Sequence, residues 1–156
     1  RRDWESAEEI VGNAVSLGRQ HAPGRLITAS VDGSLPLLWC DALLVVQLLD
    51  NLIDNAVRYS PVDSSVDVSA FRVGNSIAFA VADRGPGTGI DIPDSPAHAM
   101  SSASDLARPA SKAAGSSGGA GIGLSLCRLI ARLHDGRLEI TPRDGGGSVF
   151  VISLPA

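Results

Sequence analysis

Two asparagines four residues apart, Asn51 and Asn55, are the residues of this chain best suited to hold a charged ligand, with Arg58 and Tyr59 about one turn further on. At that spacing the two amides share one face of a helix. Asparagine is a poor interior helix residue, and a buried amide without a partner costs about 1–3 kcal/mol. An amide oxygen is a hard ligand suited to Mg²⁺ and a guanidinium suits phosphate, so this face is equipped for a metal-nucleotide. The amides could equally satisfy nearby backbone, and the helix alone leaves both readings open. A second candidate is Asp83-Arg84-Gly85-Pro86-Gly87, a carboxylate followed by glycines that let backbone approach a ligand, although a plain turn also explains it. A third is Gly118-Gly119-Ala120-Gly121-Ile122-Gly123. Glycines opening a helix expose N–H groups and a positive dipole end, a ready anion site.

The elements that must position these residues follow from hydrophobic period and punctuation. Leu44, Leu48, Leu52 and Ala56 recur at helical spacing behind Asp41, a good N-cap, and predict the helix that carries the asparagines to Tyr59. Ser6-Ala7-Glu8-Glu9 is a capping-box pattern ahead of Ile10, Val11, Ala14, Val15 and Leu17, so a first helix runs from Ser6 to His21 and ends at Pro23-Gly24. Leu26 to Ala29 and Leu37 to Cys40 read as short strands, with Trp39 assigned to the core. Val66, Val68 and Ala70 alternate with polar neighbours, and Gly74-Asn75 supplies a two-residue turn into Ile77–Ala82. That last strand is apolar on both faces and therefore central, and it delivers Asp83.

From residue 93 to residue 118 the composition turns to Ala, Ser, Pro and Gly, the pattern of a long loop or lid. Its cations Arg108 and Lys112 could reach phosphates or be solvated. A final helix follows with Leu124, Leu126, Leu129, Ile130 and Leu133 as core candidates, stopping at His134-Asp135-Gly136. Two strands, Arg137 to Thr141 and Ser148 to Leu154, then form a hairpin around Gly145-Gly146-Gly147. Three helices on one face of a mostly antiparallel sheet make an α+β two-layer sandwich.

The 156 residues fit a single domain, and with 44% hydrophobic but only 4% aromatic residues its core must be aliphatic. A net charge of −4 argues against a nucleic-acid surface. Cys40 and Cys127 lie in apolar contexts without C-x-x-C spacing and read as reduced core residues. No apolar run reaches the roughly 18 residues that span a bilayer and no signal peptide is recognisable, so a cytosolic domain without direct membrane contact is expected.

Taken together and in order, the three candidate stretches carry a resemblance. Asn51-Leu52-Ile53-Asp54-Asn55-Ala56-Val57-Arg58-Tyr59 resembles the N box of sensor histidine kinases, Asp83-Arg84-Gly85-Pro86-Gly87 their G1 box, and Gly119-Ala120-Gly121-Ile122-Gly123-Leu124 their G2 box. Over nearly its whole length the chain is similar to the catalytic and ATP-binding domain of a two-component histidine kinase, with the Bergerat fold shared by gyrase, Hsp90 and MutL. The lead-in from Leu35 to Gln47 and the stretch Leu126-Cys127-Arg128-Leu129-Ile130 resemble the potassium-responsive Kdp sensor kinases.

The resemblance implies that Asn55 holds Mg²⁺ through its amide oxygen, with Asn51 supporting metal or phosphate. It implies that Asp83 accepts from the adenine 6-amino group, that Arg58 and Tyr59 contact phosphates or the nucleotide's edge, and that Gly85 and Gly87 pass close to adenine. Gly119, Gly121 and Gly123 would present backbone N–H groups to the phosphates, with Ile122 and Leu124 completing that box. Phosphoryl transfer would then be a matter of positioning and charge neutralisation by Asn51, Asn55 and Arg58. Superfamily members that hydrolyse ATP carry a glutamate four residues before the metal-binding asparagine. Here that residue is Asn51, and Asp50 and Asp54 are each turned about 100° from the neighbouring asparagine, so a water-activating hydrolase is disfavoured.

Three departures from the family pattern stand out. No phenylalanine lies between Asp83 and Gly123, so the usual F box is missing; Thr88-Gly89 intervenes before Ile90; and none of His21, His98 and His134 sits in a phospho-acceptor motif. All three histidines read as surface or cap residues. The expected partners are therefore a dimerisation and phosphotransfer domain of the same parent kinase, which donates the acceptor histidine, and a downstream response regulator. Alone, the chain should bind ATP without phosphorylating itself. The alternatives are a degenerate nucleotide-binding or interaction module with an impaired lid, and a gyrase-like ATPase.

Overall fold

A computed structural model describes residues 1–86 and 118–156. The expected lid (Gly118 excepted), its cations Arg108 and Lys112, His98, and Gly87 of the glycine corner lie outside the described residues. Three helices are present among the described residues: α1 (Ala7–His21), α2 (Ala42–Tyr59) and α3 (Gly118–Leu133). The strands are β1 (Asp3–Glu5), β2 (Ile27–Val31), β3 (Leu38–Cys40), β4 (Val66–Val73), β5 (Ser76–Ala82), β6 (Arg137–Pro142) and β7 (Ser148–Pro155).

Five strands form one sheet in the order β2-β4-β5-β7-β6, antiparallel except for the parallel β2–β4 pair. The doubly apolar strand β5 is central, as its pattern predicts. Val66, Val68 and Ala70 on β4 and Phe150, Ile152 and Leu154 on β7 turn one face of the sheet into the core. All three helices pack on that face and on one another through α2. Apart from Phe79, Phe150, Cys40 and Cys127 the core is aliphatic, with Leu48, Leu49, Leu52 and Ile53 of α2 at its centre. The two-layer α+β sandwich is thus the observed architecture.

Five local features differ from expectation. Strand β1 has no forerunner in the sequence reading; it pairs antiparallel with β3 as a separate two-stranded sheet. Trp39 is not in the core: the alternation of β3 sends Leu38 and Cys40 inward and Trp39 outward, where its ring lies 5.4 Å from that of Trp4. Leu129 and Leu133 are half exposed, because the buried stripe of α3 runs through Cys127, Ile130 and Ala131 instead. His134 is neither surface nor a simple cap. It is buried, its Nδ1 bonding the Ile130 carbonyl at 2.8 Å and its Nε2 accepting the Asp41 N–H at 3.0 Å, so it ties the end of α3 to the start of α2. At the start of α1, Ser6 occupies the N-cap position but its hydroxyl makes no capping bond; its carbonyl accepts from Ile10.

Candidate functional site

Helix α2 is held rigidly enough to present polar groups. Asp41 caps it by accepting the Leu44 N–H at 3.3 Å, and eight of its residues, Asn55 among them, are buried. The asparagine face meets α3. A Cβ added at Gly123 would lie 3.9 Å from Asn55 Nδ2, and one turn along α3 the Cys127 thiol donates to the Leu48 carbonyl at 3.5 Å. Gly123 beside Asn55 and Cys127 beside Leu48 come in opposite order along the two helices, so these run antiparallel here. Leu124, next to Gly123, packs against the core.

Arg58 turns to the rim, where its Nε sits 3.1 Å from Asp54 Oδ2 in an i,i+4 pair, both side chains about half exposed. Asp50 faces His21 across 3.5 Å on the α1 side. Burial lifts the Asp50 carboxyl and Asp54 adds to the lift, while His21 opposes it.

Asp83 is delivered by β5 and then fixed by its neighbours. Its N–H donates to the Ser148 carbonyl at 2.9 Å, and its Oδ1 accepts from Gly85 N–H at 2.8 Å and Ser148 N–H at 3.4 Å. The carboxylate is 5% exposed. Two glycines make this packing possible. Any Cβ at Gly85 would come within 2.6 Å of the Tyr59 carbonyl oxygen, so the loop after β5 lies directly on the C-terminal end of α2. A Cβ at Gly147, whose φ is +107°, would collide with the Asp83 carbonyl. Arg84 completes the clasp by donating to the Asp144 carbonyl at 2.7 Å.

The structure therefore brings Asp83, Gly85, Tyr59, Asn55, Asn51 and Gly123 around the second half of α2. Gly119 and Gly121 lie in the opening turn of α3, where helix N–H groups lack intrahelical acceptors, and Ile122 follows directly. Gly123 is more than one turn inside, so its contribution is room beside Asn55. Gly87, Arg108 and Lys112 are not among the described residues. One support has little signal in the sequence: the Gly147-Ser148 pair, which reads there only as a hairpin turn. Three consecutive glycines were the only signal, and all three have positive φ.

The histidine kinase-, DNA gyrase B-, and HSP90-like ATPase family matches residues 40–156. The sensor-like histidine kinase SenX3 of Mycobacterium tuberculosis is 33% identical over 150 residues, covering 96% of this chain and 35% of that protein. The sensor protein KdpD of Clostridium acetobutylicum is 28% identical over 156 residues, covering 99% of this chain and 17% of its own length. The chain thus spans between 17% and 35% of these relatives, and the Kdp type is one of several similar kinds. Among solved structures, the catalytic domain of histidine kinase ThkA superposes with a TM-score of 0.74 at 20% identity, covering 99% of this chain and 97% of that one. The mycobacterial sensor histidine kinase MprB gives 0.72 at 20% identity, with coverage of 99% and 97%. These likenesses at low identity concern the fold, which is the same two-layer arrangement. The chain belongs to the family of histidine kinase-, DNA gyrase B-, and HSP90-like ATPases, as a catalytic domain of the sensor-histidine-kinase type.

Proposed function

We propose that this domain binds ATP with Mg²⁺ and positions the γ-phosphoryl group for transfer to a histidine on a separate dimerisation domain of its parent kinase. The observation that carries the reading is the convergence of the fixed Asp83 carboxylate and the Asn51/Asn55 face at one end of α2. Asp83 accepts from the adenine 6-amino group; both of its backbone bonds within the described residues fall on Oδ1, and Oδ2 is assigned to the base. Gly119 and Gly121 offer N–H groups to the phosphates, while Arg58, Tyr59 and the lid cations Arg108 and Lys112 neutralise or border them.

The donor set fits a metal that travels with the nucleotide. No group of three or more acidic, histidine or cysteine side chains that could cage an ion occurs among the described residues. A single buried amide such as Asn55 suits Mg²⁺, which keeps waters and takes phosphate oxygens as its remaining ligands. When bound, the ion would supply charge neutralisation at the phosphates. Asn51 in place of a glutamate leaves no side chain on that face to activate water, which favours transfer over hydrolysis.

A response regulator downstream and a membrane-anchored parent are part of the same proposal, supported by the sensor kinases among the relatives. Within the described residues no helix is long and apolar enough to cross a membrane. Calorimetric titration with ATP and GTP, with and without Mg²⁺, tests the reading. Saturable ATP-selective binding is expected, and Asn55→Ala should remove the Mg²⁺-dependent gain while leaving the metal-free affinity within about twofold. Absence of ATP binding, or equal loss with and without metal, would overturn the respective assignment.

A further inference from the structure

The last turn of α2 has to hold still for the site to keep its shape, because it carries Arg58 and Tyr59 and bears the loop after β5. A helix ends in carbonyls that have no intrahelical donor. Ser60 answers one of them, its N–H and its Oγ both donating to the Ala56 carbonyl, at 3.2 and 2.5 Å. The rest of the turn is gathered from another part of the chain. Arg25, between α1 and β2, donates through Nη1 to the Val57 carbonyl at 3.1 Å and the Ser60 carbonyl at 3.4 Å, and through Nη2 to Ser60 Oγ at 2.7 Å and the Ser64 carbonyl at 3.4 Å. Its Nε is buried with no acceptor among the described residues, so the side chain is placed for the reach of its two terminal nitrogens. A cation at this end also complements the negative pole of the helix.

Resting on the proposed metal-nucleotide site, we infer that Arg25 is a positioning residue that clamps the final turn of α2 and, through it, aims Asp83 at the adenine. The path is short. The Val57 and Ser60 carbonyls that Arg25 holds bracket Arg58 and Tyr59 in sequence. Gly85 lies on the Tyr59 carbonyl, too close for any side chain, and its N–H donates to Asp83 Oδ1 at 2.8 Å. A turn free to fray would withdraw the seat of Gly85, and with it an N–H group that orients the carboxylate. Asn55 precedes the clamped carbonyls and is buried on the side of α2 that meets Gly123 of α3, so its proposed metal role does not depend on the clamp.

The test compares Arg25→Met, which keeps an apolar stem but removes charge and donors, with Arg25→Lys, which keeps a cation and three donors. The first readout needs no nucleotide: backbone amide signals followed by nuclear magnetic resonance. Arg25→Met should shift the Tyr59 and Gly85 amides and speed exchange at Gly85 roughly tenfold while the amides of β4, β5 and β7 stay native, and Arg25→Lys should recover most of that change. The second readout is calorimetric, well below each variant's melting temperature. Arg25→Met should weaken ATP binding by roughly three- to tenfold and narrow the preference over GTP, with the Mg²⁺-dependent gain changing less than about twofold. A residue that only stabilised the fold would lower the melting temperature and leave the affinity of the folded protein alone. Should Arg25→Met not fold, Arg25→Gln, shorter and uncharged, takes its place with the same expectations. A native Gly85 amide in the uncharged variant, or an equal loss of ATP and GTP affinity, overturns the inference. Failure of the native chain to bind ATP would instead remove the proposed function, leaving the amide signals to judge the clamp.

Discussion

Asp83 and Asn55 owe their chemistry to opposite surroundings. Asp83 is a carboxylate buried against backbone N–H donors, which fix the direction of its oxygens. Replacing it with asparagine turns one acceptor into a donor facing another donor. Asp83→Asn should therefore weaken ATP binding by roughly 10- to 100-fold and narrow the preference over GTP, as measured by calorimetry. Unchanged ATP affinity would contradict the role. The residues that touch ligand in this reading were legible because asparagine in a helix and aspartate at the end of an apolar strand go against local preference. Cys127 was legible as a core residue, but its bond to the Leu48 carbonyl across the helix interface was not.

Among the elements, the open face of the sheet carries its own clasp. Asp67 on β4 accepts from Thr28 Oγ1 on β2 at 2.7 Å and pairs with Arg143, which follows β6 at the opposite edge. Burial works against the Asp67 charge, but hydrogen bonds from Thr28, Arg143 and Ser65, together with the Arg143 charge, outweigh it and hold the carboxyl below its ordinary value. A carboxylate depressed in the folded state contributes stability that is present above its unfolded value of about 3.9 and lost as pH falls through the lower folded value. Asp67→Asn should cost about 2 kcal/mol at pH 7, or roughly 4–8 °C in melting temperature, and should flatten the acid limb below about pH 4. Thermal melts across that range check it, and an unchanged pH 7 midpoint would show that the clasp carries no stability. The cross-sheet pair was invisible in the sequence because its partners are 76 residues apart.

For the molecule as a whole, neither described histidine stands among the candidate site residues. Both ring nitrogens of His134 are engaged in the core, and His21 is exposed beside Asp50 on the α1 side. Incubated with radiolabelled ATP and Mg²⁺, the chain should take up no acid-labile phosphate, whereas a supplied dimerisation domain should become labelled; label on His134 would contradict this. The sequence by itself determined the two-layer class, the central strand and the three motif stretches, because period, turn residues and misplaced polar groups are local properties. Only the tertiary structure decided that β2 joins the sheet in parallel, that β1 closes on β3 and exposes Trp39, and that α3 sets Gly123 beside Asn55 and Cys127 beside Leu48. Those outcomes depend on which surfaces are buried against each other, a long-range competition that no single stretch of residues encodes.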